Sequence, residues 1–463
     1  MNIARIRSSV LVFIACCMAA ILAACGTAPV GSGNGGPGGG TTTATPSIHN
    51  STPPATGQTV PMPPTQTSCP ADGTARAAVM RPLALGGHQN LVYIYNEVPP
   101  NTSTSYGHLR RYDVTTGQKS DIVTSGLSIT EAEVSFDGQW VLFLSQPDPR
   151  GDPQHSAMLQ LVRMDGQGLQ TLYCFPAGSL TTFSDDNKVR FPIDVQWSSD
   201  QKSILTTMDE HNTTSTIRLL NVASGTVQTE IAIADAHYRY SVLTWLDNTR
   251  AYIMKTDRSA SLPPTTLSIL NTATNHVVDG SSLSPVLTKQ PVLLSSLSMD
   301  SSFDSSTLFV GYCLKNGQPF ASSIWSEPAT GGTQQTIAQQ AATSCLNTLR
   351  VISNDTLLLL VENAANGSDV NHQIWTMKTD GSGQKTLATF PYGPSQLDDY
   401  SFNRFTQFTW SNVSRDGSMY ALKADNLGLG TQRILIGSLN GSAPTEIAST
   451  ARGGVDLVGW TTM

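Results

Sequence analysis

The sequence is short of charge. Asp, Glu, Lys and Arg make up 13% of its 463 residues, about half of the usual ~25%, which excludes a charge-rich coiled coil or a highly charged disordered tail as the main body. Lys and Arg number 27 against 34 Asp and Glu, a formal net charge of −7. With no basic run, that balance argues against nucleic acid as a partner. Beyond residue 22 no apolar run approaches the length of a membrane span. The sequence also lacks a Gly-x-Ser-x-Gly nucleophile elbow, a phosphate-binding loop and a dinucleotide fingerprint. It therefore assigns no catalytic residue, no metal ligand and no cofactor. What it has in quantity is Gly (38) and Pro (26), too much of both for a helical bundle.

Residues 1–24 read as a signal peptide. Arg5 and Arg7 form a positive start, Val10 to Leu22 an apolar stretch too short to span a bilayer comfortably, and Leu22-Ala23-Ala24-Cys25 closes it. The four closing residues resemble the lipobox of bacterial lipoproteins. The resemblance implies cleavage before Cys25 and acylation of that cysteine, with palmitate-type chains. Two chains hold a protein to a bilayer stably where one does not. The expectation is a chain on the cell membrane, anchored by its N-terminal lipid and facing the extracytoplasmic side. Residues 25–75 then form a linker rich in Gly, Thr and Pro, with Asp72 its only Asp, Glu, Lys or Arg. Such a segment cannot bury enough apolar surface to offset its chain entropy. As a coil it would reach roughly 40 Å.

Seven cysteines are present. Cys16 and Cys17 leave with the signal and Cys25 carries lipid, so Cys69, Cys174, Cys313 and Cys345 remain, with three full pairings open. Cys313 with Cys345 is the first choice because they lie in neighbouring repeats. Buried unpaired thiols fit the sequence equally well.

From residue 76 onward, short β-type runs recur at regular spacing, and repeats are to be sought before single strands. Four alternating runs end in Trp, at Trp197, Trp245, Trp410 and Trp460; the long middle interval spans three repeats. A turn marker recurs at Asp137, Asp200, Asp247, Asp304, Asn354 and Asp416, and Gly follows directly at 138 and 417, the pair that favours tight hairpins. A later hairpin recurs seven times: Leu109–Val123, Leu159–Tyr173, Ile217–Ile231, Leu267–Val278, Ile324–Ile337, Ile374–Leu387 and Ile434–Ile447. Each unit is thus four strands, a to d. Such units repeated radially are the blades of a β-propeller. The first blade starts at Leu91–Tyr95 without a strand a, and Val455–Trp460 is a strand a with nothing after it. The fold class is therefore all-β, a propeller of seven four-stranded blades (six if one unit is over-split) closed by the C-terminal strand completing blade one.

The unit resembles the TolB-like, WD40-like propeller repeats of bacterial envelope proteins. It stands as Val134-Ser135-Phe136-Asp137-Gly138-Gln139-Trp140 and Val413-Ser414-Arg415-Asp416-Gly417, with its hairpin half in Ile374 to Gly383. Pro before the turn Asp is missing, and the fifth unit, Ser301 to Ser306, reads as degenerate. The propeller is assigned residues 76–463.

In such a unit the a–b and c–d turns share one face and the b–c and d–a loops the other. The repeated Asp and Gly residues fix hairpins. Loops on a rigid scaffold carry function, so candidates come from the second face: Asp185, Asp186, Asp209, His211, His237, Tyr238, Tyr392, Asp398, Asp399 and Tyr400. His108, His155 and His372 also fall near b–c connections. Aromatics that stack on a sugar or peptide, with Asp accepting its hydrogen bonds, suit a non-catalytic binding or scaffolding module of the cell envelope with a protein or glycan partner. The alternative is an envelope enzyme, a polysaccharide lyase or hydrolase, with its site on the same face.

Overall fold

A computed structural model describes residues 83–463 apart from 103–104, 147–156, 176–191, 199, 211–213, 225, 236, 258–264, 280–293, 315–320, 330–331, 340–343, 365–369, 391–397, 403–411 and 427. Twenty-eight strands form seven antiparallel sheets of four. Blade one combines β28 (Gly453–Thr462) with β1 (Gln89–Glu97), β2 (Tyr106–Asp113) and β3 (Lys119–Ser125). Blade two is β4 (Ser128–Val134), β5 (Trp140–Gln146), β6 (Met158–Arg163) and β7 (Gln170–Cys174). Blade three is β8 (Pro192–Trp197), β9 (Ser203–Glu210), β10 (Thr214–Asn221) and β11 (Val227–Ala234). Blade four is β12 (Tyr238–Trp245), β13 (Arg250–Asp257), β14 (Thr265–Asn271) and β15 (His276–Asp279). Blade five is β16 (Leu294–Ser301), β17 (Thr307–Leu314), β18 (Ala321–Pro328) and β19 (Gln335–Gln339). Blade six is β20 (Ser344–Ser353), β21 (Thr356–Ala364), β22 (Val370–Lys378) and β23 (Lys385–Phe390). Blade seven is β24 (Asp398–Ser401), β25 (Met419–Asn426), β26 (Thr431–Ser438) and β27 (Thr445–Thr450). The molecule is a seven-bladed β-propeller, and the six-blade alternative falls away.

Alternation along each strand sends side chains to the two neighbouring blades, so the core lies between blades. Val92, Ile94 and Leu109 of blade one pack with Val141, Phe143 and Val162 of blade two. Blades five and six meet through Phe309, Ile324, Leu349 and Leu359. The expected closure is present: β28 pairs along β1 from Gln89–Thr462 to Glu97–Gly453, with Leu457 and Trp460 buried.

The repeated turn has a chemical basis. Ser135 donates its hydroxyl to Asp137 Oδ1 at 2.6 Å while accepting Trp140 N–H at 2.9 Å, so one Ser-x-Asp unit fixes both sides of the a–b turn. Gly138 takes φ +76° there, which costs glycine least. The same Ser-to-Asp bond recurs at Ser198–Asp200, Ser302–Asp304, Ser353–Asp355 and Ser414–Asp416, at 2.6–2.7 Å. Two expectations are corrected by this. The marker of blade six is Asp355, one residue after Asn354, because only position 355 lies two residues beyond the serine. Blade five is not degenerate, since Ser302 and Asp304 form the regular turn.

Each strand a has a ladder neighbour on one side only, which leaves backbone groups to be satisfied otherwise. For strands a of blades one, two, three, four and six, side chains of the preceding blade supply partners. Asn96 brackets Ile129 with Oδ1 accepting its N–H and Nδ2 donating to its carbonyl. Glu133 Oε2 accepts Trp197 N–H at 3.0 Å, and Thr207 and Ser215 accept Val242 and Tyr240 N–H. Ser322, Ser298 and Asp300 accept Leu346, Leu349 and Val351 N–H. Gln432 accepts Val455 N–H in the closing strand. Every one of these bonds runs from one blade to the next in chain order.

Two cross-links reinforce the ring. Cys313 of β17 and Cys345 of β20, 32 residues apart, form a buried disulfide between blades five and six, as the first-choice pairing anticipated. Cys174 is disulfide-bonded as well. Replacing both Cys313 and Cys345 by Ala is expected to cost about 3–4 kcal/mol through the freed loop of the unfolded chain, read as a lowered denaturant midpoint without reductant. At the closure, the Arg415 guanidinium of blade seven donates to three carbonyls: Trp460 O at 3.2 Å, Phe136 O at 2.6 Å and Ser135 O at 3.1 Å. It thereby spans blades seven, one and two. Burial brings its pKa down to about 10, opposed by the nearby Asp137 charge. Arg415→Met is expected to cost about 3 kcal/mol, since it removes three hydrogen bonds from a charged donor that joins three blades; an unchanged melting temperature would contradict that role.

Candidate binding face

Strand direction alternates within a blade, so the end of b, the start of c, the end of d and the start of a lie at one end of the ring. Two cation–aromatic groups stand there. In blade one, Tyr95 pairs with His108 across β1 and β2, and Arg110 lies two residues on. The Arg110 guanidinium sits 4.3 Å from the centre of the Tyr95 ring and donates to Asp121 Oδ1 at 2.6 Å. His108 meets Tyr95 edge-on, with Nδ1 3.4 Å from Asp121 and Nε2 4.0 Å from Glu97. The His108 hydrogen bond, with help from Arg110, holds the Asp121 carboxyl below its usual pKa. Deeper on the same face, burial pushes the Tyr93 phenol up to about 12.

The second group is at the junction of blades three and four. Asp235 Oδ1 accepts N–H from His237 and Tyr238, and its other oxygen accepts the Tyr240 hydroxyl, which fixes the entry into β12. The Lys255 ammonium lies 4.1 Å from the Tyr238 ring centre and 5.7 Å from that of Tyr240. Burial works to raise the Asp235 pKa, but the hydrogen bonds and Lys255 outweigh it and leave it lowered. A cation over an aromatic face contributes about 0.5–2 kcal/mol, enough to hold each ring in one orientation.

The structure treats the sequence candidates unequally. Tyr238 is half-buried and His237 exposed beside it. Asp399 is exposed in β24. Tyr400, expected on the rim, is instead buried: its ring stacks on Phe390 at 4.3 Å and lies 5.2 Å from that of His372. His372 is buried too. The short strand β24 turns residue 400 inward against blade six, which explains the difference. Asp209 is the penultimate residue of β9 and Asp398 begins β24. Cys25, Asp185, Asp186, His211, Tyr392 and His155 lie outside the described residues. Sequence reasoning passed over Tyr95, Arg110, Asp121, Asp235 and Lys255. The signal lay in strand register: Tyr95, His108 and Arg110 share a face only once β1 is paired with β2. Among the described residues no group of three or more His, Cys, Asp or Glu is placed to hold a metal ion.

No family model matches this sequence, and no curated protein matches it either. Solved structures with a similar fold include a periplasmic gluconolactonase of Pseudomonas aeruginosa, 12% identical, TM-score 0.50, covering 81% of this chain and 99% of that one. The β-propeller domain of the Trilobed protease of Pyrococcus furiosus, described as having an open velcro topology, is 11% identical at TM-score 0.48, over 81% and 98%. TolB of Acinetobacter baumannii is 11% identical at 0.43, over 80% and 82%. Likeness at such identities concerns the fold alone.

Proposed function

We propose that this chain is a lipid-anchored extracytoplasmic propeller that acts as a non-catalytic binding or scaffolding module of the cell envelope, for a protein or glycan ligand. The observation that carries the reading is the pair of cation-held aromatic groups on one end of a closed, rigid ring. Tyr95 with Arg110 and Tyr238 with Lys255 present half-buried rings beside carboxylates, the combination that stacks on a sugar or peptide and accepts its hydrogen bonds. Support for the compartment comes from the inter-blade disulfide, a bond that persists in oxidising surroundings. Support for the anchor comes from the Leu22-Ala23-Ala24-Cys25 box.

The test has two arms. Metabolic labelling with a palmitate analogue is expected to mark the chain and to fail for Cys25→Ala. Glycan-array and envelope cross-linking measurements are expected to give a ligand whose binding falls at least tenfold in Tyr238→Ala and Arg110→Ala. Turnover of an envelope polysaccharide, or a stoichiometric metal needed for binding, would replace this reading with the enzyme alternative.

A further inference from the structure

Closure protects the inner strands, but among the described residues the outer strand of each blade pairs with no further strand. Five of the seven outer strands are four to six residues long. β3 has seven and carries Lys119 and Asp121. β11 differs. It has eight residues, Val-Gln-Thr-Glu-Ile-Ala-Ile-Ala, without Pro or Lys. Its one charge, Glu230, is tied back to Arg218 of β10 at 2.8 Å. Natural edges are blunted by shortness, lysine, proline or bulges, and the run from Thr229 to Ala234 has none of these. Its core-side residues Ile231 and Ile233 are only half-buried, and Val227 is 36% exposed. The neighbouring outer strand β15 is four residues long. A small apolar notch opens beside the strand, between Leu219, Thr229 and Ile231 of blade three and Leu270 of blade four.

We propose that β11 is a self-association edge. Two copies of the chain pair their β11 strands antiparallel about a two-fold axis, joining two four-stranded blades into one eight-stranded sheet. The strand's own sequence favours a second copy as occupant. A two-fold centred on Ile231 sets Ile231 against Ile231, Thr229 against Ile233 and Glu230 against Ala232. β-Branched side chains then meet on the core side, and no like charges face each other. Centring on Glu230 would oppose the two carboxylates, so the charge pattern excludes that register. A strand pair buries less than the roughly 1,200 Å² of a stable complex, so the dimer is transient.

Sedimentation equilibrium of the full chain in non-ionic detergent tests this. The native chain is expected to dimerise reversibly at high concentration. Ala232 is exposed, so its replacement leaves the fold intact. Ala232→Asp faces Glu230 of the other copy twice over and is expected to weaken the dimer at least tenfold. Ala232→Lys faces the same carboxylate and is expected to retain or strengthen it. A chain that stays monomeric to its solubility limit overturns the proposal. So does a dimer that Ala232→Asp leaves unchanged, or one that both variants weaken alike.

Discussion

Removal of residues 453–463 is expected to abolish the cooperative unfolding transition of the propeller. The segment is the whole of strand a in blade one. It supplies the ladder to β1, the buried side chains Val455, Leu457, Val458 and Trp460, and the Thr461 hydroxyl bond to Gly138 O at 2.7 Å in blade two. Without it, β1 becomes a bare inner edge and the interfaces with blades seven and two lose their cover. A bare edge rich in Leu, Val, Tyr and Ile is also a template for aggregation. The graded version is Trp460→Ala, fully buried in the native ring, with an expected cost of about 3–5 kcal/mol. Calorimetry decides: a truncated chain that still melts in one sharp transition would mean that the ring holds without its clasp.

The second large effect is a pH dependence at Glu133. Its carboxyl is buried in the inner strand of blade two, one oxygen accepting Trp197 N–H and the other without a hydrogen-bond partner among the described residues. Burial pushes its pKa up to about 8, only partly offset by the backbone hydrogen bond. A carboxyl raised on folding binds its proton more tightly in the native state. Below the unfolded value near 4.5 both states are protonated and nothing is lost. Between there and about 8 the unfolded chain ionises first, so stability falls as pH rises and levels off above the folded value. The full span corresponds to about 5 kcal/mol. Glu133→Gln keeps an acceptor for Trp197 and removes the titration. The variant is expected to match the native protein near pH 4 and to exceed it increasingly up to pH 8, in urea unfolding across that range. Parallel curves would show that residue 133 is ionised without cost. Asp300, raised to about 6 by burial and countered by Arg350, should add a smaller slope of the same sign.

Much of the fold was legible because hairpins are local. The Asp-Gly and Asn-Gly turns, the alternating runs and the orphan strand at Val455–Trp460 each follow from residues close in sequence, and counting them gave seven blades and the closure. What the sequence could not show was which polar side chains turn toward a neighbouring blade. Glu133, Thr207 and Asp300 look like ordinary strand residues until the next blade's N–H groups stand beside them, some 35 to 64 residues on. The burial of Tyr400 has the same cause, since a tyrosine at the start of strand a is rim or core depending on register. Of the two cation–aromatic groups, Tyr238 and its neighbour His237 are reached from a loop signal, whereas Tyr95, Arg110 and Lys255 emerge only from cross-strand geometry.

The one-way run of side-chain bonds between blades has a consequence for the chain's connectivity. Blades one, two, three, five and seven each carry acceptors forward to strand-a N–H groups of the next blade, so those joints are specified by the two blades that meet there. Energetically the circle has no privileged starting point. Linking Met463 to Gly87, already close through the paired backbones of Met463 and His88, and opening the chain at another d–a connection would leave every such joint intact. By the same logic a copied blade arrives with both halves of a valid joint, which makes ring size adjustable in whole units.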